Sequence, residues 1–268
     1  MSWKDLEGWD SASPENEARC RKFQSAEYEN SGLKLKYRYF RADSGEESLP
    51  LVVYLHGADA IGTDNERQLS LHDIGTVFAD EAWQEKHPSH ILAPQFAPGS
   101  HWARPQMLSW LQALVRSCVK AFAADPARIY IYGYSAGAIG LLSLIKRNPD
   151  YYAAAIPICG STEGADLEKL LRTPMWFIHA ADDPIVHAGR GASPGRRIEH
   201  LGSFDLYAAL KELTRDEDRF RHTWYAEGEM MGTYHLHPHC TWVLAGENTE
   251  AKEWLFVQKR RCINTKFR

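Results

Sequence analysis

Apolar and polar positions follow two rhythms along this chain, and each change of rhythm marks an element. "KFQSAEYE" and "LKLKYRYFRA" alternate with period two on either side of "NSG", which predicts an antiparallel hairpin at a sheet edge. After the polar "DSGEES", "LPLVVYLHG" is apolar without interruption, the pattern of a central strand buried on both faces. Further strands are predicted at "HILAPQ", "RIYIYG", "AAAIPIC", "PMWFIHA" and "FRHTWYAE". Helices fit "QMLSWLQALVRSCVKAF", "AGAIGLLSLIKR", "ADLEKLLR", "GSFDLYAALKELT" and "NTEAKEWLFVQKR", several bounded by Pro or Asp. Strand and helix in alternation predict an α/β fold: a mostly parallel, doubly wound sheet covered on both faces. No internal repeat or low-complexity tract interrupts it.

Length and composition narrow the organisation. A chain of 268 residues, 44% hydrophobic, suits one large domain, here residues 21–261. Residues 1–20 form an N-terminal arm in which Trp3 and Trp9 either dock onto the body or a second subunit, or pack loosely. A homo-oligomer stays open. The net charge of -4 argues against nucleic acid or an anionic membrane as partner, since both select basic surfaces. The basic end "QKRRCINTKFR", with residues 262–268 as a tail, reads as solvated because no aromatic platform accompanies it. The acidic, Trp- and Gly-bearing start is unlike a secretory signal, and no segment approaches ~18 uninterrupted apolar residues, so a soluble cytoplasmic protein is expected. Five cysteines, Cys20, Cys118, Cys159, Cys240 and Cys262, are widely spaced without a CxxC pair, and reduced thiols are the expectation.

Four stretches carry chemistry. In "IYIYGYSAGAIGLL" a buried strand breaks at Gly133, turns on Ser135 and continues as an apolar helix. A nucleophilic serine needs such a sharp turn at the carboxyl end of a strand, with small residues two before and two after, and Gly133 and Gly137 supply them. The helix start then aims free N–H groups at a developing oxyanion. In "YLHGADAIGTDN", the Ala58 N–H follows His56 and Gly57 at a strand end and, with that of Ala136, would form an oxyanion hole; an ordinary strand-ending turn has the same look. In "FIHAADDPIVHAG" a carboxylate past a strand end can orient a histidine, and Asp183, next to Pro184, sits further along the turn than Asp182. Periodicity does not separate these neighbours, and one of them caps the turn. In "YHLHPHCTW", His235, His237 and His239 recur at every second position, but no carboxylate or cysteine cluster completes a metal site. Any of the three, after the last strand, satisfies the order Ser, Asp, His.

Taken together, "LVVYLHGADAIGTDNERQL", "ILAPQFAPGSHW", "RIYIYGYSAGAIGLL", "AAAIPICG", "MWFIHAADDPIV" and "HPHCTWVLA" with "EWLFVQKR" resemble the α/β-hydrolase superfamily over residues 33–261. They look most like its predicted-peptidase branch, related to feruloyl and other carbohydrate esterases, polyhydroxybutyrate depolymerases and dienelactone hydrolases. The resemblance implies Ser135 as nucleophile, Asp183 as the acid before proline, and His239 as base, three residues before Trp242. It also implies a serine esterase that needs no metal or organic cofactor and acts on a small-molecule ester.

The chain departs from that pattern in two places. Asp59, Ala60 and Ile61 stand where the family's loop usually continues with glycine, glutamate and arginine, so substrate contacts from that loop do not carry over. The long "IVHAGRGASPGRRIEHLG" brings Arg190, Arg196 and Arg197 beside the expected site, where they would receive an anionic group or simply belong to a solvated loop. The short stretch between "AAAIPICG" and "TPMWFIHA" leaves no room for a large cap domain, which implies an open site. His101 and Trp102 are expected either to wall the pocket or to pack. Cys159 and Cys240 read as structural thiols. The alternatives are a peptidase of the same fold and a binding module without catalysis.

Overall fold

Ten strands are laid down in chain order in a computed structural model that describes residues 12–30, 32–45, 48–189, 200–216 and 218–260. They are β1 (Gln24–Asn30), β2 (Leu33–Phe40), β3 (Leu51–Leu55), β4 (His90–Gln95), β5 (Ile129–Tyr134), β6 (Ala154–Ile158), β7 (Ser161–Glu163), β8 (Met175–Ala180), β9 (His200–Gly202) and β10 (Phe220–Tyr225). Eight of them form one sheet in the order β1-β2-β4-β3-β5-β6-β8-β10, while β7 and β9 pair as a small antiparallel ribbon. β1 and β2 make the antiparallel edge hairpin, β2 pairs antiparallel with β4, and every pairing from β4 to β10 is parallel.

Nine helices connect and cover the described strands: α1 (Pro14–Arg21), α2 (Arg67–Ser70), α3 (Glu81–Lys86), α4 (Pro105–Ala121), α5 (Ala136–Arg147), α6 (Ser203–Leu213), α7 (Glu229–Tyr234), α8 (Trp242–Glu247) and α9 (Thr249–Val257). Successive strand residues point to opposite faces, and two cores result. Leu51, Val53, Leu55, Ile129 and Ile131 pack with Leu111 and Leu114 of α4, Leu141 of α5 and Leu206 of α6. Val52, Tyr54, Tyr130 and Tyr132 pack with Trp83 of α3, Trp242 of α8 and Trp254 of α9. Burial on both faces is why β3 carries no polar position.

One expected helix needs correction. "ADLEKLLR" forms only a 3-10 turn, Leu167–Leu170, entered through Asp166 in the left-handed conformation and stopped before Thr173 and Pro174. So short a segment has too few propagating bonds to repay helix nucleation. The described part of the expected arm 1–20 falls mostly in the helix α1 (14–21), which is bound to the body: Asn16 Nδ2 donates to the Leu69 carbonyl and Arg19 pairs with Asp73 at 3.2 Å. Trp3 and Trp9, like the basic tail 262–268, lie outside the described residues. Among the described residues, no helix is long and apolar enough to cross a membrane, and Cys20, Cys118, Cys159 and Cys240 are free thiols.

The sheet sets the height of the site. Leu55 of β3 pairs with Gly133 of β5, so these neighbouring parallel strands leave the sheet together. Ala58 lies three residues beyond the first position and Ala136 three beyond the second.

Candidate active site

Ser135 joins β5 to α5 at φ 52° and ψ -117°. A side chain in that region costs about 1–3 kcal/mol and persists only where neighbours enforce it. Here the Ser135 N–H donates to the Ile158 carbonyl of β6 at 2.9 Å, and its own carbonyl accepts from Ile139 at 3.1 Å. The flanking glycines are required by contact: a Cβ on Gly133 would lie 2.5 Å from the Leu55 carbonyl oxygen, and one on Gly137 only 1.9 Å from it. The turn therefore presses on the end of β3, and Ser135 is left half-buried, its hydroxyl toward His239.

The structure brings together Ser135, His239 and Asp183. His239 Nε2 lies 3.0 Å from Ser135 Oγ, and His239 Nδ1 lies 2.7 Å from Asp183 Oδ2. Asp183 follows β8, where its Oδ1 accepts from the backbone N–H groups of Ile185 (2.8 Å) and Val186 (3.1 Å). Its Oδ2 also faces His179 Nε2 at 3.0 Å. His179 Nε2 has a second acceptor, the Val186 carbonyl at 2.8 Å, so that nitrogen carries the proton. All four partners of the Asp183 carboxylate are donors. Burial opposes its charge, but the charge of His239 and the hydrogen bonds from His179 and His239 outweigh it and hold the group well below the usual carboxylate range. An ionised Asp183 keeps the proton of His239 on Nδ1 and leaves the Nε2 lone pair for the serine hydroxyl.

The neighbours take other parts. Asp182 Oδ2 accepts from the Gly228 N–H at 2.9 Å and so pins the turn after β10. His235 is exposed at the end of α7. His237 is half-buried and accepts the His239 N–H on its Nδ1 at 3.1 Å. Burial, then the nearby charge of His239, lowers its pKa and favours this accepting form. Among the described residues no group of three or more His, Cys, Asp or Glu could hold a metal ion.

Neither the Ala58 nor the Ala136 N–H has a protein acceptor among the described residues. The carbonyls around Ala58 are taken: Gly57 accepts from His56 Nδ1 at 2.6 Å, Asp59 from Arg67 Nε at 2.7 Å and Ala60 from Gln95 Nε2 at 3.1 Å. Burial lowers the pKa of His56 to about 4. Its neutral Nε2 accepts from the Phe96 N–H at 3.4 Å.

Of the two roles expected for Trp102, walling the pocket or packing, the structure has the second. It has no exposed surface, and its Nε1 donates to the His56 carbonyl at 2.9 Å from beneath the loop. Its Cβ sits where Gly140 of α5 leaves room, 2.3 Å from where a Cβ there would be. His101, half-buried after β4, accepts the Ala103 N–H on Nδ1 at 3.1 Å. Arg190, Arg196 and Arg197 lie outside the described residues. Cys159 and Cys240 are fully buried, and burial pushes both thiols up, so neither supplies a thiolate.

Three neighbours of the site escape the sequence patterns. His179 is the penultimate residue of β8, four residues before Asp183, but nothing in a strand-end "FIHA" marks it as a partner. Asp59 and His72 meet at 2.5 Å between Oδ2 and Nε2, with about 1% of each side chain exposed, and Tyr134 OH donates to Asp59 Oδ1 at 2.6 Å. Burial opposes the charge of Asp59, while the hydrogen bond and charge of His72 and the Tyr134 hydroxyl hold its pKa below the ordinary value.

No protein-family model matches the chain, and no curated protein does. Among solved structures, a thermostable esterase superposes with a TM-score of 0.80 at 33% identity, over 90% of this chain and 64% of that one. The chain thus spans just under two thirds of that protein's length. LpqC, a poly(3-hydroxybutyrate) depolymerase from Bordetella parapertussis, gives a TM-score of 0.58 at 14% identity over 94% of this chain and 98% of its own. FphF, a fluorophosphonate-binding serine hydrolase of Staphylococcus aureus, gives 0.59 at 11% identity over 87% and 98%. The last two likenesses are of fold alone.

Proposed function

We propose that this chain, a member of the α/β-hydrolase superfamily, is a serine hydrolase that cleaves carboxylic esters of small soluble substrates bearing short acyl, aryl or carbohydrate-linked groups. The observation that carries the reading is the continuous hydrogen-bonded line from Ser135 Oγ through His239 to Asp183, beginning on a strained, half-buried turn.

In the first half-reaction, His239 Nε2 takes the Ser135 proton as Oγ bonds to the acyl carbon. The carbonyl oxygen becomes negative and is held by the N–H groups of Ala58 and Ala136. Collapse breaks the bond to the alcohol oxygen, which leaves with the proton from His239. Water then adds to the acyl-enzyme, His239 takes its proton, and the second tetrahedral species releases the acid and returns the proton to Ser135. Throughout, Asp183 stays ionised and stabilises the imidazolium. Proton transfer and oxyanion stabilisation are supplied by these side chains and amides, so the sequence of steps requires no metal or organic cofactor.

Esters are favoured over amides because an alkoxide or phenoxide leaves readily, whereas an amide nitrogen must be protonated as it departs. Similarity to the thermostable esterase at 33% identity supports the same choice. The four free, described thiols suit a cytoplasmic setting.

The test is steady-state hydrolysis of p-nitrophenyl acetate, p-nitrophenyl butyrate and methyl ferulate beside a short peptide amide, for wild type and Ser135→Ala. Ester turnover that falls by several orders of magnitude in a folded Ser135→Ala supports the reading. An unchanged rate in that variant removes it, and amide turnover exceeding ester turnover replaces it with a peptidase.

A further inference from the structure

We propose that Asp59, clamped between His72 and Tyr134, is a positioning residue that fixes the spacing of the two oxyanion N–H groups. The inference rests on the serine hydrolase reading given above.

The chain connectivity makes the argument. Ala58 immediately precedes Asp59, and Tyr134 precedes Ser135 and Ala136. The hydrogen bond from Tyr134 OH to Asp59 Oδ1, 2.6 Å long, therefore closes a short ring between the two amides that face the oxyanion. One arm of the ring is the loop after β3 and the other is the nucleophile turn after β5. That bond adds a direct link near the amides to the β3–β5 ladder, whose Leu55–Gly133 pair lies three residues below each of them.

His72 completes the clamp from a third element. Its Nε2–H donates to Asp59 Oδ2 at 2.5 Å, and its ring rests on Tyr134 at 5.6 Å and on Trp242 at 5.2 Å between centroids. Trp242 also packs on Tyr134 at 4.6 Å and edge-on to His239 at 5.4 Å, so the same aromatic group backs the clamp and the base. Gly57 lets the loop lie against Tyr134, since a Cβ there would be 2.3 Å from the tyrosine ring. A buried carboxylate needs its donors to stay in place, because losing either leaves one of its oxygens buried and unsatisfied. That requirement resists rotation of the Ala58 peptide, whose N–H otherwise has no protein partner among the described residues to hold it.

Tyr134→Phe is the mildest probe, as it removes one oxygen and keeps the ring. With p-nitrophenyl acetate, Tyr134→Phe and His72→Ala are each expected to lower kcat about 10- to 100-fold with KM within about twofold, a part of the loss seen when an oxyanion donor is removed. His72→Gln, whose amide N–H can reach the same oxygen, should recover most of the His72→Ala loss. The double variant Tyr134→Phe/His72→Ala should lose far less than the product of the singles, because both act through one carboxylate. Hydrogen exchange of the segment 56–63, read by mass spectrometry, should be about 10-fold faster in Tyr134→Phe, as expected when a local tether opens.

Unchanged exchange in the folded variants overturns the clamp whatever the kinetics. A rise in KM alone, or fully multiplicative losses, overturns its action on the oxyanion amides. Faster exchange in variants of a wild type without hydrolase activity leaves the clamp standing and removes the serine hydrolase reading instead.

Discussion

Replacing Asp183 by asparagine removes one charge and introduces two donors where the structure has only acceptors. Oδ1 faces the N–H groups of Ile185 and Val186, and Oδ2 faces the N–H groups of His239 and His179. An amide satisfies one pair only. With its oxygen toward the backbone, the NH2 meets His239 Nδ1 and forces the proton onto Nε2, where the ring can no longer accept from Ser135. With its oxygen toward the histidines, two backbone donors are left facing hydrogens, at about 1–3 kcal/mol for the unsatisfied groups. Either arrangement also removes the charge that stabilises the imidazolium, so kcat for p-nitrophenyl acetate is expected to fall on the order of 10⁴-fold, the loss typical of a Ser-His-Asp triad whose acid becomes an amide. Asp182 accepts a single backbone N–H, from Gly228, and Asp182→Asn should keep kcat within a few-fold. Stopped-flow and steady-state rates on both variants, with circular dichroism to verify folding, decide the matter. Equal losses, or a larger loss in Asp182→Asn, would refute the assignment of the acid.

Two further predictions concern the frame around the site. His56, held to a pKa of about 4 against an ordinary 6.5 by burial, stays neutral in the fold while the unfolded chain binds a proton below pH 6.5. Stability therefore declines as pH falls from 6.5 to 4, by up to about 3 kcal/mol, and urea melts of His56→Gln should show a flatter profile in that window; an identical slope would remove His56 as the cause. Gly137→Ala would set a Cβ against the Leu55 carbonyl, and the forced shift of α5 is expected to lower Tm by about 5–10 °C and reduce kcat together; a variant with wild-type Tm and rate would show that the turn has more room than the contact allows.

The parts of the site that could be read from the sequence are those where one local requirement dominates. β3, β4, β5, β6 and β8 sit between helices, and burial on both faces made them largely apolar runs. Ser135 was visible because the turn needs Gly133 and Gly137, whose missing side chains answer to the Leu55 carbonyl. Asp59 and His72 were not, since their pairing spans 13 residues of short, irregular turns with no period to follow. α1 escaped for another reason. It is held by the polar contacts of Asn16 and Arg19, and its only buried residue is an asparagine, so hydrophobic periodicity is missing. Trp102 could be read either way because an indole beneath a loop and one lining its rim look alike in sequence; the hydrogen bond to the His56 carbonyl decides it.

The central claim is that Ser135 is an activated nucleophile beside an oxyanion site, and covalent capture tests it without assuming a substrate. The folded protein is treated with a fluorophosphonate probe, and labelling is read by intact mass and peptide mapping in wild type and Ser135→Ala. The account predicts one phosphonyl group per chain, located on Ser135 and absent from the variant. An unlabelled wild type that is folded, or a label that maps elsewhere and survives Ser135→Ala, would contradict it.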